Sequence, residues 1–438
     1  MNIRDSEIMA QKLYEDGYLE SSTIEDASLI ILNTCSVRGK AEQKVFSLLG
    51  SLRKIKKQNP ELKICVAGCV AQQEGKKIID RMKHVDLVIG TQQIYDIPRL
   101  LKNSKTQKTA VNLSDIYEIP SYIPKTNISH PGFGKIPEKH FQFSRFVTIM
   151  QGCNNFCTYC VVPYTRGREV SRNVKDIVEE ISLFVGSGVS EITLLGQNVN
   201  SYGRTNQVTE TALPYSFANL IHEVSDISGL KRLRFTTSNP KDLSDELIDC
   251  FARIDNLCPQ FHLPVQSGSD AILKRMKRNY TIDDYLRKVD RLVSACPEIA
   301  LTTDMIIGFP GETEIDFQST MQLLERVRFH GSFSFKYSDR PGTRAAELDS
   351  KLSEQEKGAR LQIFQKRQDE ISLARNRDYV GKTRTILVEH SDTTSIMGRT
   401  STNHIVHVES GDKEIQAGDY IEVQITFGGQ HALKGQLL

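Results

Sequence analysis

The chain has no apolar run of the roughly 18 residues that a membrane helix needs, so no membrane association is expected. Its first residues, MNIRDSEIMAQKLYEDGY, have the spacing of an amphipathic helix and lack the apolar centre of a secretory signal. Cysteine is scarce. Nine in 438 residues, unevenly spaced, are too few for a secreted disulfide framework. Charge of one sign is lacking too: a net charge of +2 neither demands nor excludes nucleic acid, so any RNA surface has to be a local patch. There are no internal repeats and no low-complexity stretch. Hydrophobic residues at 39% and charged residues at 25% are those of a globular protein. The length suggests roughly two to four domains. A cytoplasmic protein of a reducing compartment is expected.

What is present is alternation. LIILNTCSV (29–37), KICVAGCVA (63–71) and DLVIGT (86–91) are short apolar runs between helical patterns at 3–17, 38–58, 72–83 and 94–102. Strands alternating with helices predict an open parallel α/β domain over residues 1–105. Residues 106–140, rich in Ser, Thr, Asn, Pro and Lys, read as a linker. From 141 to 376 a longer alternation follows. Strands are expected near 146–151, 191–196, 231–236, 260–265, 300–307 and 331–336. Helices are expected near 174–187, 214–226, 244–253, 268–276, 282–295 and 312–327, and a charged one at 353–378. Six such units predict a partial (β/α)6 barrel, whose functional groups belong at the C-terminal strand ends. Residues 377–438 carry short strands at near-regular spacing and predict a small antiparallel β-barrel, a common nucleic-acid platform.

Cys153, Cys157 and Cys160 stand in CNNFCTYC, just after an apolar run. Three thiolates on one tight loop hold three irons of a 4Fe–4S cluster and leave the fourth iron open to a small molecule. That arrangement suits delivery of one electron to S-adenosylmethionine (SAM). Structural zinc wants four closed ligands, and no fourth Cys or His lies within ten residues. The segments GQNVN (196–200), TTSNP (236–240), PVQSGS (264–269) and IGFPGE (307–312) all fall at predicted C-terminal strand ends. Tyr159, Gln197, Asn198, Ser238, Gln266, Gly308, Pro310 and Gly311 are the candidate cofactor contacts there. Each segment alone is equally a turn; their convergence on one rim is the stronger signal. Arg166, Arg168 and Arg172 follow the cysteine loop and, with Arg399, are candidate RNA contacts. Cys35 and Cys69 fall just past predicted strands, where α/β sheets bind ligands. Cys65 lies inside a strand. Cys250, Cys258 and Cys296 lack ligand spacing and are expected to be buried.

Together NTCSVR, GCVAQ, GCNNFCTYCVVPYTRGREVSR, LLGQNVNSYG, HLPVQSGSD, GFPGET and GRTSTN resemble, in order and along nearly the whole chain, the methylthiotransferases of the radical-SAM superfamily. YCVVPYTRGREVSR is most similar to the branch that acts on isopentenylated adenosine in tRNA. The resemblance implies an N-terminal methylthiotransferase domain, a radical-SAM core and a C-terminal RNA-binding TRAM domain. It implies one 4Fe–4S cluster on Cys153, Cys157 and Cys160, and an auxiliary 4Fe–4S cluster on Cys35, Cys69 and a third cysteine. That third cysteine belongs to a GCQMN motif before Asp-Ser-Glu. Here Met1 and Asn2 stand inside that motif and Asp5-Ser6-Glu7 follow. The expectation is a start upstream of Met1; the alternatives are Cys65 as the ligand, or a single cluster without sulfur insertion. SAM would serve twice, as methyl donor and as radical source. The substrate would be adenosine 37 in the tRNA anticodon stem-loop, methylthiolated at C2. An electron donor such as flavodoxin or ferredoxin and a sulfur or cluster donor would be partners. A ribosomal protein or threonylcarbamoyladenosine in tRNA is the alternative substrate; RNA binding without chemistry is the alternative class.

Overall fold

The computed structural model describes all residues except 36–38, 123–142, 212 and 411–413, and not the side chains of 39–42. The chain forms two compact units, one of residues 1–138, 148–154 and 160–172, the other of residues 139–147, 155–159 and 173–438.

The first unit is built on a parallel sheet in the order Leu29–Thr34, Lys63–Gly68, Leu87–Ile89, Thr109–Ala110. Alternate residues of KICVAG serve opposite cores. Ile64 and Val66 pack with Leu49, Leu52 and Ile78; Cys65 and Ala67 pack with Ile8, Leu13, Ile97 and Leu100. Two buried faces are why these strands are apolar throughout rather than alternating. The helix expected over 72–83 is divided: Cys69–Glu74 and Lys76–Arg81 meet at Gly75, whose φ of 49° takes the chain out of the helical region. The strand Thr109–Ala110 lies inside the expected linker. Two residues are too short to give a period-2 pattern. Residues 123–140 of that linker lie outside the described residues.

In the second unit six strands run in the expected order. Ser144–Thr148, Glu191–Leu195 and Arg232–Thr236 form one sheet; Gln260–His262, Ala300–Ile307 and Gly331–Lys336 form another. A parallel bridge between Leu233 and Leu257 links them. The helices between them are Val174–Gly186, Phe217–Ser225, Asp245–Arg253, Asp270–Arg275, Ile282–Ala295 and Glu314–Val327. Their starts are fixed by side-chain caps, with full capping boxes at Ser216/Asn219, Thr281/Asp284 and Thr313/Asp316. Phe235 faces this helical layer, its ring 5.1 Å from Phe217 and 5.3 Å from Phe261. Arg232 and Arg234, one residue to either side of Leu233, face the opposite way, into the barrel lumen.

The C-terminal strands close a barrel in the order Thr383–Ser391, Ser395–Thr400, Ile405–Glu409, Leu433–Leu437, Tyr420–Gly428. Its core is Ile386, Val388, Ile396, Val406, Val423 and Ile425. The expected small antiparallel barrel is present, with one exception among its pairings: Ile405–Glu409 and Leu433–Leu437 run parallel. Five is odd, so strand direction cannot alternate all the way round a closed ring.

This small barrel sits on the larger one through arginine. Arg232 donates to the carbonyls of Arg399 (2.8 Å) and Thr385 (2.9 Å). Arg234 donates to the carbonyls of Ser401 (2.8 Å) and Thr400 (2.9 Å), and through Nε to Glu191 (2.9 Å). Both arginines stand toward the N-terminal end of their strand, so the small barrel covers that end of the lumen and the C-terminal ends lie away from it.

Candidate active site

Cys153, Cys157 and Cys160 occupy one loop between the strand Met150–Gln151 and the helix Val162–Arg166, and all three are half-buried thiols outside any disulfide. The loop begins at Gly152, φ 79°, where a Cβ would stand 2.0 Å from the Arg168 carbonyl oxygen. Phe156 adopts a left-handed φ of 47°, rare for a bulky residue. Thr158 fixes the middle of the loop: its N–H donates to the Met276 carbonyl (3.1 Å), its hydroxyl to the Arg275 carbonyl (3.0 Å), and its carbonyl accepts from Ala345 N–H (2.9 Å). Tyr159 packs edge-on against Phe309, centroids 6.5 Å apart.

Arg278 is the residue here that sequence reasoning missed. It is buried, with Nη2 on the Pro264 carbonyl (2.8 Å), Nε on the Tyr280 hydroxyl (2.9 Å) and Nη1 3.6 Å from the Cys157 sulfur. Burial works against its charge, but Tyr280, Tyr159 and Cys157 outweigh burial and hold its pKa well above the ordinary value. The Val162 N–H points at the Cys160 sulfur at 3.5 Å. Three partly open thiols, one facing a permanent cation, fit thiolates carrying a negative cluster. Among the described residues no three His, Cys, Asp or Glu side chains converge on a single ion position; a cluster takes its thiolates on separate irons.

Strand ends of the second unit carry buried polar groups without partners. Ser238 Oγ, Asn198 Oδ1 and Asn200 Oδ1 are buried and make no hydrogen bond. Orphaned groups of this kind are costly unless a ligand satisfies them, so they fit a polar cofactor. Asn198 directs its amide to Asp242 (2.8 Å) and Ser201 (3.0 Å). Burial opposes the charge of Asp242, yet hydrogen bonds from Lys241 and Asn198 hold its carboxyl below the usual range. Gln197 lies half-buried beside Asn198. Gln266, φ 75°, prolongs its sheet by bonding through its N–H to the Asp304 carbonyl and through its carbonyl to Ile306 N–H.

Gly308 and Gly311 have φ of 73° and 82°. What crowds them is protein: a Cβ on Gly308 would meet the Lys357 side chain, and one on Gly311 the Arg275 guanidinium. Pro310 stands between them, buried. The turn is tied by Glu312, whose carboxylate accepts from Gly308 N–H (3.1 Å) and Arg360 (2.9 Å). Burial pushes the Glu312 carboxyl up against these donors. A cavity of about 740 Å³ also opens in this unit, lined by Asn200, Tyr202, Tyr215, His222 and Glu246 among others; none of the predicted site residues lines it.

In the first unit Thr34 and Gly68 are register partners at the ends of adjacent strands, so Cys35 and Cys69 follow side by side. Gly68 allows the approach: a Cβ there would stand 2.5 Å from the Thr34 carbonyl oxygen. Cys69 is buried and Cys35 half-buried. Arg166 is 3% exposed, with Nη2 2.6 Å from Asp5. Burial opposes its charge, and Asp5 and the Cys69 sulfur more than restore it. This pair fits two ligands of a further cluster. Cys65 is fully buried inside its strand, and burial pushes its thiol far up. Arg166 and Arg172, expected as RNA contacts, are buried; Arg172 donates to the Thr148 carbonyl at 2.8 Å. Arg168 is exposed. Arg399 is half-buried against Glu389 at 2.8 Å. Cys250 and Cys258 are buried as expected, whereas Cys296 is only half-buried because it caps the exposed end of a helix.

Comparison with known proteins matches the Radical SAM superfamily over residues 147–324, the uncharacterized protein family UPF0004 over 1–90 and the TRAM domain over 377–438. Among solved structures, a radical S-adenosylmethionine methyltransferase, TsrM from Kitasatospora setae, superposes with a TM-score of 0.57 at 13% identity, covering 77% of this chain and 73% of that one. Barrel, cysteine loop and matched profile define a radical SAM enzyme, a class that uses a 4Fe–4S cluster and SAM. The tRNA-2-methylthio-N(6)-dimethylallyladenosine synthase of Desulfotalea psychrophila is 60% identical over 100% of this chain and 96% of its own length. That of Syntrophus aciditrophicus is 44% identical over 100% and 92%. The chain belongs to the tRNA-2-methylthio-N(6)-dimethylallyladenosine synthase family.

Proposed function

We propose that this enzyme adds a methylthio group to C2 of N6-isopentenyladenosine 37 in the anticodon stem-loop of tRNA. The observation that carries the reading is the half-buried Cys153, Cys157, Cys160 loop with the Arg278 guanidinium 3.6 Å from the Cys157 sulfur. These three cysteines would hold a 4Fe–4S cluster, which would supply the one electron for reductive cleavage of SAM to methionine and a 5′-deoxyadenosyl radical, the species needed because an unactivated aromatic C–H offers no acid–base route near neutral pH.

The chain's own share is positioning and water exclusion. Arg278 holds a positive charge beside one ligand sulfur. Ser238, Asn198 and Asn200 offer unsatisfied buried groups to the polar ends of the cofactor. Tyr159, Gln197, Gln266 and the turn Gly308–Pro310–Gly311, tied down by Glu312 and Arg360, complete the rim. Cys35 and Cys69 would hold two irons of an auxiliary cluster, which would supply the sulfur for transfer.

The same reading divides the chain into a methylthiotransferase domain (1–105), a linker (106–140), a radical-SAM core (141–376) and a TRAM domain (377–438). Arg168 and Arg399 remain the candidate RNA contacts from the sequence. A flavodoxin or ferredoxin serves as electron donor, a separate protein restores the sulfur, and the enzyme works in the cytoplasm; no helix among the described residues is long and apolar enough to cross a membrane.

Two substitutions test the division of labour. After anaerobic reconstitution and reduction, Cys157→Ala is expected to form no 5′-deoxyadenosine from SAM. Cys69→Ala is expected to form it but to leave no methylthiolated nucleoside in tRNA hydrolysates. A Cys69→Ala enzyme that still methylthiolates tRNA removes the auxiliary assignment.

A further inference from the structure

The strand Ala300–Ile307 buries Leu301, Thr303, Met305 and Ile307 on one face and leaves Thr302, Asp304 and Ile306 half-open on the other. Its neighbour Gly331–Lys336 has no fully buried residue, and its Ser332 and Ser334 are half-buried. Ser334 meets Gln365 of the helix Glu354–Arg377 at 3.2 Å, so that helix covers the Ser334 side. Phe333 and Phe335 therefore point to the opposite side, where they are 56% and 38% exposed. Large rings exposed to this extent at alternate residues of one strand face are unusual on a structural strand and mark a binding surface.

The rings have polar neighbours. Asp304 is the register partner of Phe333, and His262 of Thr302. His262 meets Thr302 Oγ1 through Nδ1 (3.0 Å), Asp304 through Nε2 (3.5 Å) and Phe333 edge-on at 6.0 Å between centroids. A carboxylate has about four acceptor positions, and His262 takes one. The open face thus sets a hydrogen-bond acceptor directly beside an apolar aromatic wall. It also leads to the cysteine loop: two residues after His262, the Pro264 carbonyl binds the Arg278 that faces Cys157.

N6-dimethylallyladenine has the complementary pattern at a single atom, since N6 carries one N–H donor and a five-carbon apolar branch. We propose that Asp304 accepts the N6–H of the substrate base and that Phe333 and Phe335 cover its dimethylallyl group, making these three residues the determinants of substrate choice. This rests on the function proposed above.

The test uses the reconstituted holoenzyme and two anticodon stem-loop RNAs, one with dimethylallylated adenosine 37 and one with plain adenosine. The readout is the ratio of kcat/KM for the two. Wild type is expected to favour the dimethylallylated RNA. Phe333→Ala, and more so Phe333→Ala with Phe335→Ala, is expected to cut that preference at least about tenfold, since even one methylene in an apolar site is worth that much. Phe333→Leu, still apolar, is expected to retain most of it. Phe333 is more than half exposed, and thermal melting of each variant checks that the fold survives the substitutions. Variants that lower both substrates alike, or keep the wild-type ratio, overturn the proposal while leaving the proposed function standing. A wild type that ignores the dimethylallyl group overturns both.

Discussion

At the N-terminal ends of the barrel strands, Arg232 and Arg234 aim their guanidinium groups at four carbonyls and one carboxylate of the same unit. At the C-terminal ends, Arg278 turns one nitrogen to a cysteine sulfur, and Ser238, Asn198 and Asn200 keep buried polar atoms with no partner. Both ends bury arginine, but Arg232 and Arg234 are met by protein oxygens, whereas Arg278 also faces a cysteine sulfur. Unsatisfied buried groups cost stability, and a fold tolerates them where a ligand completes them. The closed end therefore belongs to stability and the open end to chemistry, the division expected of β/α barrels.

The largest effect expected from breaking the closed end comes from Arg234→Met. It removes the donor to Thr400, Ser401 and Glu191 together, leaving a half-buried carboxylate with the Ser144 hydroxyl at 3.1 Å and Arg232 at 3.9 Å. The loss is expected to be about 3 kcal/mol, read as a shift in the urea unfolding midpoint. SAM cleavage without RNA is expected to persist. A loss under about 1 kcal/mol would mean that the seam rests on packing rather than on these bonds.

Most of this architecture was legible in the sequence. From 174 to 377 each strand and α-helix lies within a few residues of its expected place, because each apolar run is followed by a polar turn and a Ser, Thr or Asn cap, whereas Val162–Arg166 and Val170–Ser171 were not foreseen. The rim was legible as well, since glycine and amide residues interrupt the pattern at each strand end. What was hidden depends on register and distance. Arg232 and Arg234 read as ordinary strand charges because their partners lie more than 150 residues away. The meeting of His262 with Thr302 follows only from the pairing of their strands. Arg278 sits between Lys277 (φ 60°) and Asn279 (φ 55°), in a tight turn whose sequence, KRNY, looks like a solvated loop. The burial of Arg166 was equally hidden, since Asp5 lies 161 residues earlier.

A smaller effect sharpens the closed end by pH. His330 and His404 lie at the seam, ring centroids 5.7 Å apart. Burial, then the neighbouring His404 and Arg375, pulls the His330 pKa down to about 3. Burial and Arg384 pull His404 to about 4. Both folded values lie below the ordinary 6.5, so the unfolded chain binds more protons between them. Stability is then full above about pH 6.5 and falls as pH drops toward 4. For His404 the fall between pH 7 and pH 5 is about 2 kcal/mol. His404→Asn is expected to flatten the pH dependence by that amount, measured by urea melts at both values. An unchanged slope would place the acid sensitivity elsewhere.

The smallest effect probes the open end. Arg278→Gln takes away the cation 3.6 Å from the Cys157 sulfur and keeps an amide for the Pro264 carbonyl. Reducing a cluster adds negative charge to it. A nearby cation stabilises the reduced form more than the oxidised one, so its removal makes the potential more negative. The expected fall is about 60 mV, which for one electron is about tenfold in the reduced fraction at a fixed reductant. SAM cleavage is expected to slow by the same factor when a weak reductant is used, and to recover with a stronger one. An EPR-monitored redox titration of the reconstituted variant measures this directly. An unchanged potential in a folded, fully loaded Arg278→Gln protein would reduce Arg278 to a structural tie for the Pro264 carbonyl and make the two ends of the barrel alike in their use of arginine.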